Sequence, residues 1–353
     1  MKNWEENVRR VVPYTPGEQP ADSKMIKLNT NENPYPPAPG VQKVLQETEG
    51  DKLRLYPDPN VKKLVQAIAE TYGLAEDQIF VGVGSDDVLA MSFLTFFDSK
   101  VPVLFPDITY SFYDVWAELF RIPYRQQPLD EAFRIRKEDY LQENGGIVFP
   151  NPNAPTGVEL ELDEVEEIVA ANPGSVVIVD EAYVDFGSRS ALGLIEKYEN
   201  LLVVQTFSKS RSLAGMRIGF ACGNPKLIHY LQDVKYSFNS YTMNRTAIEA
   251  GVQAVMDWDY FRETCEKIIV TREWAKEELH KLGFEFPDSS ANFIFAAHRT
   301  VPAKELYEAL KGQHIYVRHF DKPRIDNYLR ITVGTREEME SLFDFLKKYL
   351  AEK

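Results

Sequence analysis

Between residues 79 and 221 the chain repeats one device: a short run of apolar residues, then a stretch with helical periodicity. The runs are Ile79–Val83, Val101–Phe105, Ile147–Phe149, Val176–Val179, Leu201–Gln205 and Ile218–Ala221. Several are apolar at every position, as strands covered on both faces are, whereas a half-exposed strand alternates. Such an alternation predicts an α/β fold, a mostly parallel sheet between helices. Some runs follow one another too closely for a crossover helix, so a mixed sheet is expected.

The flanks read differently. Residues 1–40 are punctuated by "VVPYTPGEQP" and "NTNENPYPPAPG" and read as an extended arm. After Asn239 the pattern is helical over 241–282, with Gly283 as the stop. A strand at 292–297, a helix at 302–311, strands at 315–320 and 328–334, and a last helix from Arg336 complete a small α+β unit. The expected division is a large α/β domain over 30–240, with 1–29 and 241–353 forming the arm and the small domain.

Bulk properties narrow the function. A net charge of −14 lacks the basic footprint that nucleic-acid backbones require. Two cysteines, Cys222 and Cys265, make neither a disulfide framework nor, with the scattered histidines, a metal site. The N-terminus has no apolar core of signal-peptide type, and no run reaches the length of a membrane span. The expectation is a cytoplasmic, metal-free protein that binds neither nucleic acid nor membrane.

Five features fall at strand ends, where ligands bind in open α/β sheets. In "VGVGSDDVLAMSFLTFF" a strand turns through Gly82 and Gly84 into Ser85 and Asp86. The opening turn of a helix there offers free N–H groups to an anion. "FPDITYSFY" places Tyr110 where a ring could stack on it. "FPNPNAPTG" is a rigid turn whose Asn151 and Asn153 could direct amides into a cleft. Asp180 ends an apolar run in "VVIVDEAYVDF", and a carboxylate leaving a buried strand calls for a positive partner. Tyr183 follows three residues on. "TFSKSRSLAGMRIGF" sets Lys209 among Thr206, Ser208 and Arg217, donors suited to a phosphate. Each feature alone has an ordinary structural explanation. Together they match pyridoxal 5'-phosphate: a carboxylate for its ring nitrogen, a lysine for its aldehyde, donors for its phosphate.

With "LNTNENPYPP", "LRLYPDP", "GVGSDD", "NPNAPTG", "VDEAYVDF", "TFSKSRSLAGMRIGF" and "YLRITVGTREE", nearly the whole chain resembles the fold-type I aminotransferases, and among them the histidinol-phosphate aminotransferase family. That resemblance implies pyridoxal 5'-phosphate bonded to Lys209, with Asp180 at the ring nitrogen, Tyr183 at the phenolic oxygen and Tyr110 stacked on the ring. It places Ser85, Asp86, Thr206, Ser208 and Arg217 at the phosphate cup. Tyr56 would reach that phosphate from a second subunit, implying a homodimer. Arg330, helped by Arg318 and Tyr14, would hold the anionic group of an amine substrate, and a keto acid would complete the cycle. Aromatic amino-acid transamination and threonine-phosphate decarboxylation are the related alternatives. A cofactor-binding regulator without turnover is the alternative from another class. In one place the chain departs from the family. The cofactor asparagine normally precedes Pro-Thr-Gly, where this chain has Ala154; Asn153 is the nearest amide and is assigned the role. Should Asn153 not reach, the phenolic oxygen depends on Tyr183 alone.

Overall fold

A computed structural model describes residues 3–20 and 25–353; residues 1–2 and 21–24 of the expected arm lie outside the described residues. The arm leads through β1 (Ile26–Lys27) to α1 (Pro39–Glu47) and α2 (Lys62–Tyr72). The alternating region then gives β2 (Ile79–Gly82), α3 (Ser85–Phe96), β3 (Val103–Pro106), α4 (Tyr113–Phe120), β4 (Tyr124–Gln127), β5 (Ile147–Pro150), α5 (Leu162–Ala171), β6 (Val177–Asp180), β7 (Leu201–Thr206) and β8 (Gly219–Gly223). These strands form one sheet in the order β2-β8-β7-β6-β5-β3-β4. All neighbours are parallel except β8, which runs antiparallel to both β2 and β7. The sheet is therefore mixed, as the close spacing of the last runs requires. Strand β4 was not foreseen: its sequence, Tyr-Arg-Gln-Gln, sits half-exposed at the sheet edge and carries no apolar signal.

Side chains of the central strands alternate between two cores, as the two-residue period dictates. Ile147, Phe149, Val177, Val179, Leu201 and Val203 face one side, with residues of α2, α5 and the later helix α7 (Arg245–Met256). Val148, Ile178, Leu202, Val204 and Ala221 face the other, with α3, α4 and the later helix α6 (Pro225–Phe238). Asp180 and Thr206 continue the parity of Ile178 and Val204, so both leave the sheet on this second side.

The remainder comprises α6 (Pro225–Phe238), α7 (Arg245–Met256), α8 (Trp258–Lys281), β9 (Phe284–Glu285), β10 (Phe293–His298), α9 (Ala303–Lys311), β11 (Ile315–Tyr316), β12 (Arg318–His319), β13 (Leu329–Thr332) and α10 (Arg336–Ala351). The helical region at 241–282 is two helices, broken where Asp257 caps α8 by accepting from the Tyr260 N–H. Gly283 follows with φ 84°, the left-handed stop expected of it. A small antiparallel sheet, β12-β13-β10-β9, packs on α8 to α10, and β1 pairs with β11. Ala247, Ile248, Ala250, Ala254 and Val255 of α7 belong to the core of the large sheet. Ala275 and Leu279 of α8 belong to the core of the small sheet.

Candidate active site

The parallel strands end together, because Pro150 is in register with Asp180 and Asp180 with Val204. Gly219 pairs with both Thr206 and Gly82, which brings the Arg217 and Ser85 loops to the same edge. A cavity of ≈ 390 Å³ opens there, and Ser85, Asp86, Tyr110, Asp180, Tyr183, Thr206, Ser208, Lys209 and Arg217 all line it. Its neighbour, ≈ 170 Å³, is lined by Tyr14, Arg318 and Arg330 and shares Lys209, Tyr110 and Tyr183 with the first. The structure thus brings twelve of the fourteen residues assigned a cofactor or substrate role to two adjoining chambers with Lys209 between them.

One end of the larger chamber is built for an anion. Helix α3 starts after Gly84 with no side-chain cap, so its first N–H groups are left for a ligand. Gly84 has φ 85°, and a Cβ there would meet the Arg217 guanidinium at 2.4 Å; only glycine lets the arginine lie so close. Thr206 Oγ1 donates to Ser208 Oγ at 3.0 Å, and Arg217 approaches the same oxygen at 3.4 Å. Arg217 itself adopts φ 55°, uncommon for a side-chain-bearing residue and frequent at binding sites. Asp86 differs from expectation in how it serves. Its carboxylate accepts from Tyr110 Oη at 2.6 Å and Arg217 at 3.0 Å, so it braces the cup, and only its backbone N–H can face an anion.

At the other end Asp180 accepts from Tyr113 Oη at 2.9 Å and from the Ala182 N–H at 3.2 Å. Both donors are neutral, and burial pushes the carboxyl up to about 6. Among the described residues no cation pairs with it. A buried carboxylate of that kind fits a protonated ring nitrogen. Tyr113 escaped the sequence reading, although it lies three residues beyond Tyr110. Lys209 Nζ donates to the Thr30 carbonyl at 2.9 Å. Burial first, then the nearby Arg330 guanidinium, lowers it to about 8. A lysine so placed has the neutral fraction that attack on an aldehyde requires. The donor set therefore fits pyridoxal 5'-phosphate, with Ser85, Thr206, Ser208 and Arg217 at its phosphate, Asp180 at its ring nitrogen, and Lys209 at its aldehyde.

The smaller chamber holds a pair of guanidinium groups. Arg330 is held by one hydrogen bond to the Asn29 carbonyl at 2.9 Å, and its buried Nε has no partner. Burial, and Arg318 beside it, push Arg330 down. No carboxylate pairs with either arginine among the described residues, which leaves their charge for a ligand. Tyr14 lies against Phe112, ring centroids 4.2 Å apart.

Two expected residues lie elsewhere. Asn153 is buried but lines neither chamber: its amide donates to the Ile108 carbonyl at 3.0 Å and to Thr156 Oγ1 at 2.9 Å. Asn151 likewise closes the turn through two bonds to Leu160. Ala154 stands in the chamber wall instead. Tyr56 is 79% exposed, apart from both chambers, and pairs with Tyr241 at 4.5 Å between centroids.

Sequence reading also missed the strap at 27–33 that closes the chambers. Thr30, Asn31 and Glu32 line them. Glu32 is tied to Lys27 and to Thr30 Oγ1 at 2.7 Å. The only local signal is an unbroken polar run, Asn-Thr-Asn-Glu-Asn, directly after apolar Ile26 and Leu28.

The model of the family described as aminotransferase class I and II matches residues 23–346. Among curated proteins, the histidinol-phosphate aminotransferase of Lactococcus lactis subsp. cremoris (strain MG1363) is 51% identical over 351 residues, covering 99% of each chain. Histidinol-phosphate aminotransferase 1 of Methylococcus capsulatus is 53% identical over 348 residues, covering 99% of this chain and 98% of the relative. Among solved structures, the histidinol-phosphate aminotransferase from Sinorhizobium meliloti in complex with pyridoxal-5'-phosphate superposes with a TM-score of 0.83 at 23% identity, covering 92% of this chain and 90% of that one. L-threonine-O-3-phosphate decarboxylase from Porphyromonas gingivalis gives 0.77 at 20% identity, with 92% and 99% covered. At those identities the solved structures speak to the fold alone, whereas the family model spans most of the chain. The chain belongs to the class I and II aminotransferases.

Proposed function

We propose that the protein transfers the amino group of L-histidinol phosphate to 2-oxoglutarate, giving imidazole acetol phosphate and L-glutamate. The observation that carries the substrate class is the pair Arg330 and Arg318, facing a chamber next to Lys209 with no carboxylate among the described residues to neutralise them. Planar guanidinium groups suit a phosphate's oxygens better than a lysine would. The full-length relatives at about half identity, named for that reaction, support the same reading.

Bound pyridoxal 5'-phosphate supplies an electron-withdrawing ring and a carbonyl carbon able to carry an amino group. Asp180 keeps a proton on the ring nitrogen, since a carboxylate buried among neutral donors gains most from a cationic neighbour. Lys209 Nζ would hold the cofactor's carbonyl carbon and, once a substrate amine occupies that carbon, would serve as the general base at the substrate's α-carbon. The Thr30 carbonyl gives Lys209 Nζ a resting place within the chamber. Tyr110, which lines both chambers, would stack on the cofactor's ring. Arg330, Arg318 and Tyr14 orient the substrate through its phosphate. Tyr183 bonds the cofactor's phenolic oxygen.

The working unit in this reading is a cytoplasmic homodimer. Tyr56, its ring partner Tyr241 and its chain neighbours Leu53 and Leu55 are all exposed, apolar surface of the kind a second copy covers. A dimer would carry Tyr56 to the partner's phosphate cup.

Absorbance of the purified protein tests the reading. The visible band of the lysine-bound cofactor should give way to the near-ultraviolet band of its amine form on adding excess L-histidinol phosphate without keto acid. A band that stays unmoved with that substrate but responds to aromatic amino acids would overturn the substrate assignment and keep the cofactor.

A further inference from the structure

Neither asparagine of the 149–157 turn reaches the cleft, yet the site is not without an amide. We propose that Asn31, locked by Thr332, is a positioning residue that directs the Tyr183 hydroxyl proton into the cofactor chamber, performing from the strap the task that the Ala154 position cannot. The proposal rests on the pyridoxal 5'-phosphate reading above.

Proton accounting fixes the direction of this chain of bonds. The Asn31 backbone N–H donates to Thr332 Oγ1 at 3.0 Å, which occupies that oxygen as an acceptor. The hydroxyl's single proton is then available to Asn31 Oδ1, also at 3.0 Å. With Oδ1 so engaged, the other side of the amide, Nδ2, is what meets Tyr183 Oη at 2.9 Å. An amide nitrogen carries only protons, so Tyr183 must accept. Its own proton is turned away from Asn31, toward the space lined by Lys209, Tyr110 and Ala154. A second clamp, from Asn292 Nδ2 to the Asn31 carbonyl at 3.0 Å, fixes the backbone. Asn31 adopts φ 56°, a region asparagine tolerates better than most residues. Asn31, Thr332, Asn292 and Tyr183 are all buried, so water does not compete for these bonds.

Placement adds a second argument. Thr332 lies two residues beyond Arg330 on β13, hence on the same face of the strand. Arg330 donates to the Asn29 carbonyl, two residues before Asn31. One strand face of the small sheet therefore holds both the substrate-binding arginine and the lock on Tyr183. Tyr183 feels the charges of Arg330, Asp180 and Asp86, and none of these is altered in the variants below.

A hydrogen bond donated to a phenolate stabilises the charged oxygen and loosens its hold on a shared proton. The test is a pH titration of the visible absorbance of the reconstituted full-length protein. The variants are Asn31→Ala, Thr332→Val, Tyr183→Phe and the double change Asn31→Ala with Tyr183→Phe. Losing the directed proton should raise the apparent pKa of the bound chromophore, by about one unit for each single change. The double change should add nothing to Tyr183→Phe, because the two act in series. Thr332→Val keeps the branched shape of its side chain, so the titration remains decisive should Asn31→Ala not fold. An unshifted titration in both Asn31→Ala and Thr332→Val would leave Asn31 as mere scaffold and overturn the proposal. A full additional shift in the double variant would overturn it differently, placing Asn31 on the cofactor itself. Wild-type protein that takes up no chromophore would bring down the cofactor reading, and this proposal with it.

Discussion

Asp180 is the residue whose replacement separates the cost of the site from its function. Its carboxyl is buried among neutral donors and pushed from the usual 3.8 up to about 6. At 1.36 kcal/mol per unit, that shift of about two units converts to roughly 3 kcal/mol. The sign follows from linkage: the folded group holds its proton to higher pH than the unfolded one. The penalty is absent where both states are protonated, grows as pH rises through about 4 to 6, and is constant above. Asp180→Asn removes the charge; its one oxygen can accept from the Ala182 N–H while its NH2 donates to Tyr113 Oη, whose own proton rotates away. Cofactor-free Asp180→Asn protein should therefore be more stable than wild type by up to about 3 kcal/mol near pH 8, and by about half that near pH 5. Urea unfolding of the cofactor-free proteins at both pH values measures the difference. Glu181, which burial pushes up to about 7, titrates in both proteins and cancels. With cofactor bound the order should reverse, and turnover should fall sharply, because the amide cannot hold a protonated ring nitrogen. A stability difference independent of pH, or a cofactor-free variant less stable than wild type throughout, would refute the reasoning.

Lys209, lowered to about 8, should capture added cofactor with a rate that rises about tenfold from pH 6 to 7 and levels off above about 9, as its neutral fraction saturates; stopped-flow absorbance reads this, and a rate still climbing at pH 10 would argue for an unshifted lysine. Arg330→Gln should weaken L-histidinol phosphate binding by roughly 10- to 100-fold, the worth of a charge-assisted hydrogen bond, and Arg318→Gln by less, since Arg330 is the more enclosed. Titration with L-histidinol should show neither loss, because the effect belongs to the phosphate. Lys209→Ala and Tyr56→Ala proteins, each impaired alone, should regain activity when mixed and re-associated. A mixed dimer holds one site with both residues intact, and no recovery would remove Tyr56 from its partner's cup.

The parts of this site that were legible in sequence are those for which chain neighbours determine position. A strand apolar at every residue must be buried on both faces, and the residue after it must emerge at the sheet's end; Asp180, Thr206 and Lys209 follow from that. Amides were read by the same logic and it failed for Asn153, because the turn uses its amides to close itself. Proximity along the chain to Ala154 was taken for proximity to the cleft. Tyr113 was missed for a related reason. Tyr113 lies three residues beyond Tyr110, and nothing local sets it beside the carboxylate; the parity shared by Asp180 and Ile178 does. Asn31 lies beyond any local reading, since the residue that sets its orientation is 301 positions away on β13. What a sequence conveys poorly is the direction of a hydrogen bond, because a side chain's donor or acceptor role is set by whichever partner the fold delivers. Here Thr332 is delivered by the small sheet and Tyr183 by the large one. An asparagine in a polar strap becomes part of the site only where the two sheets meet.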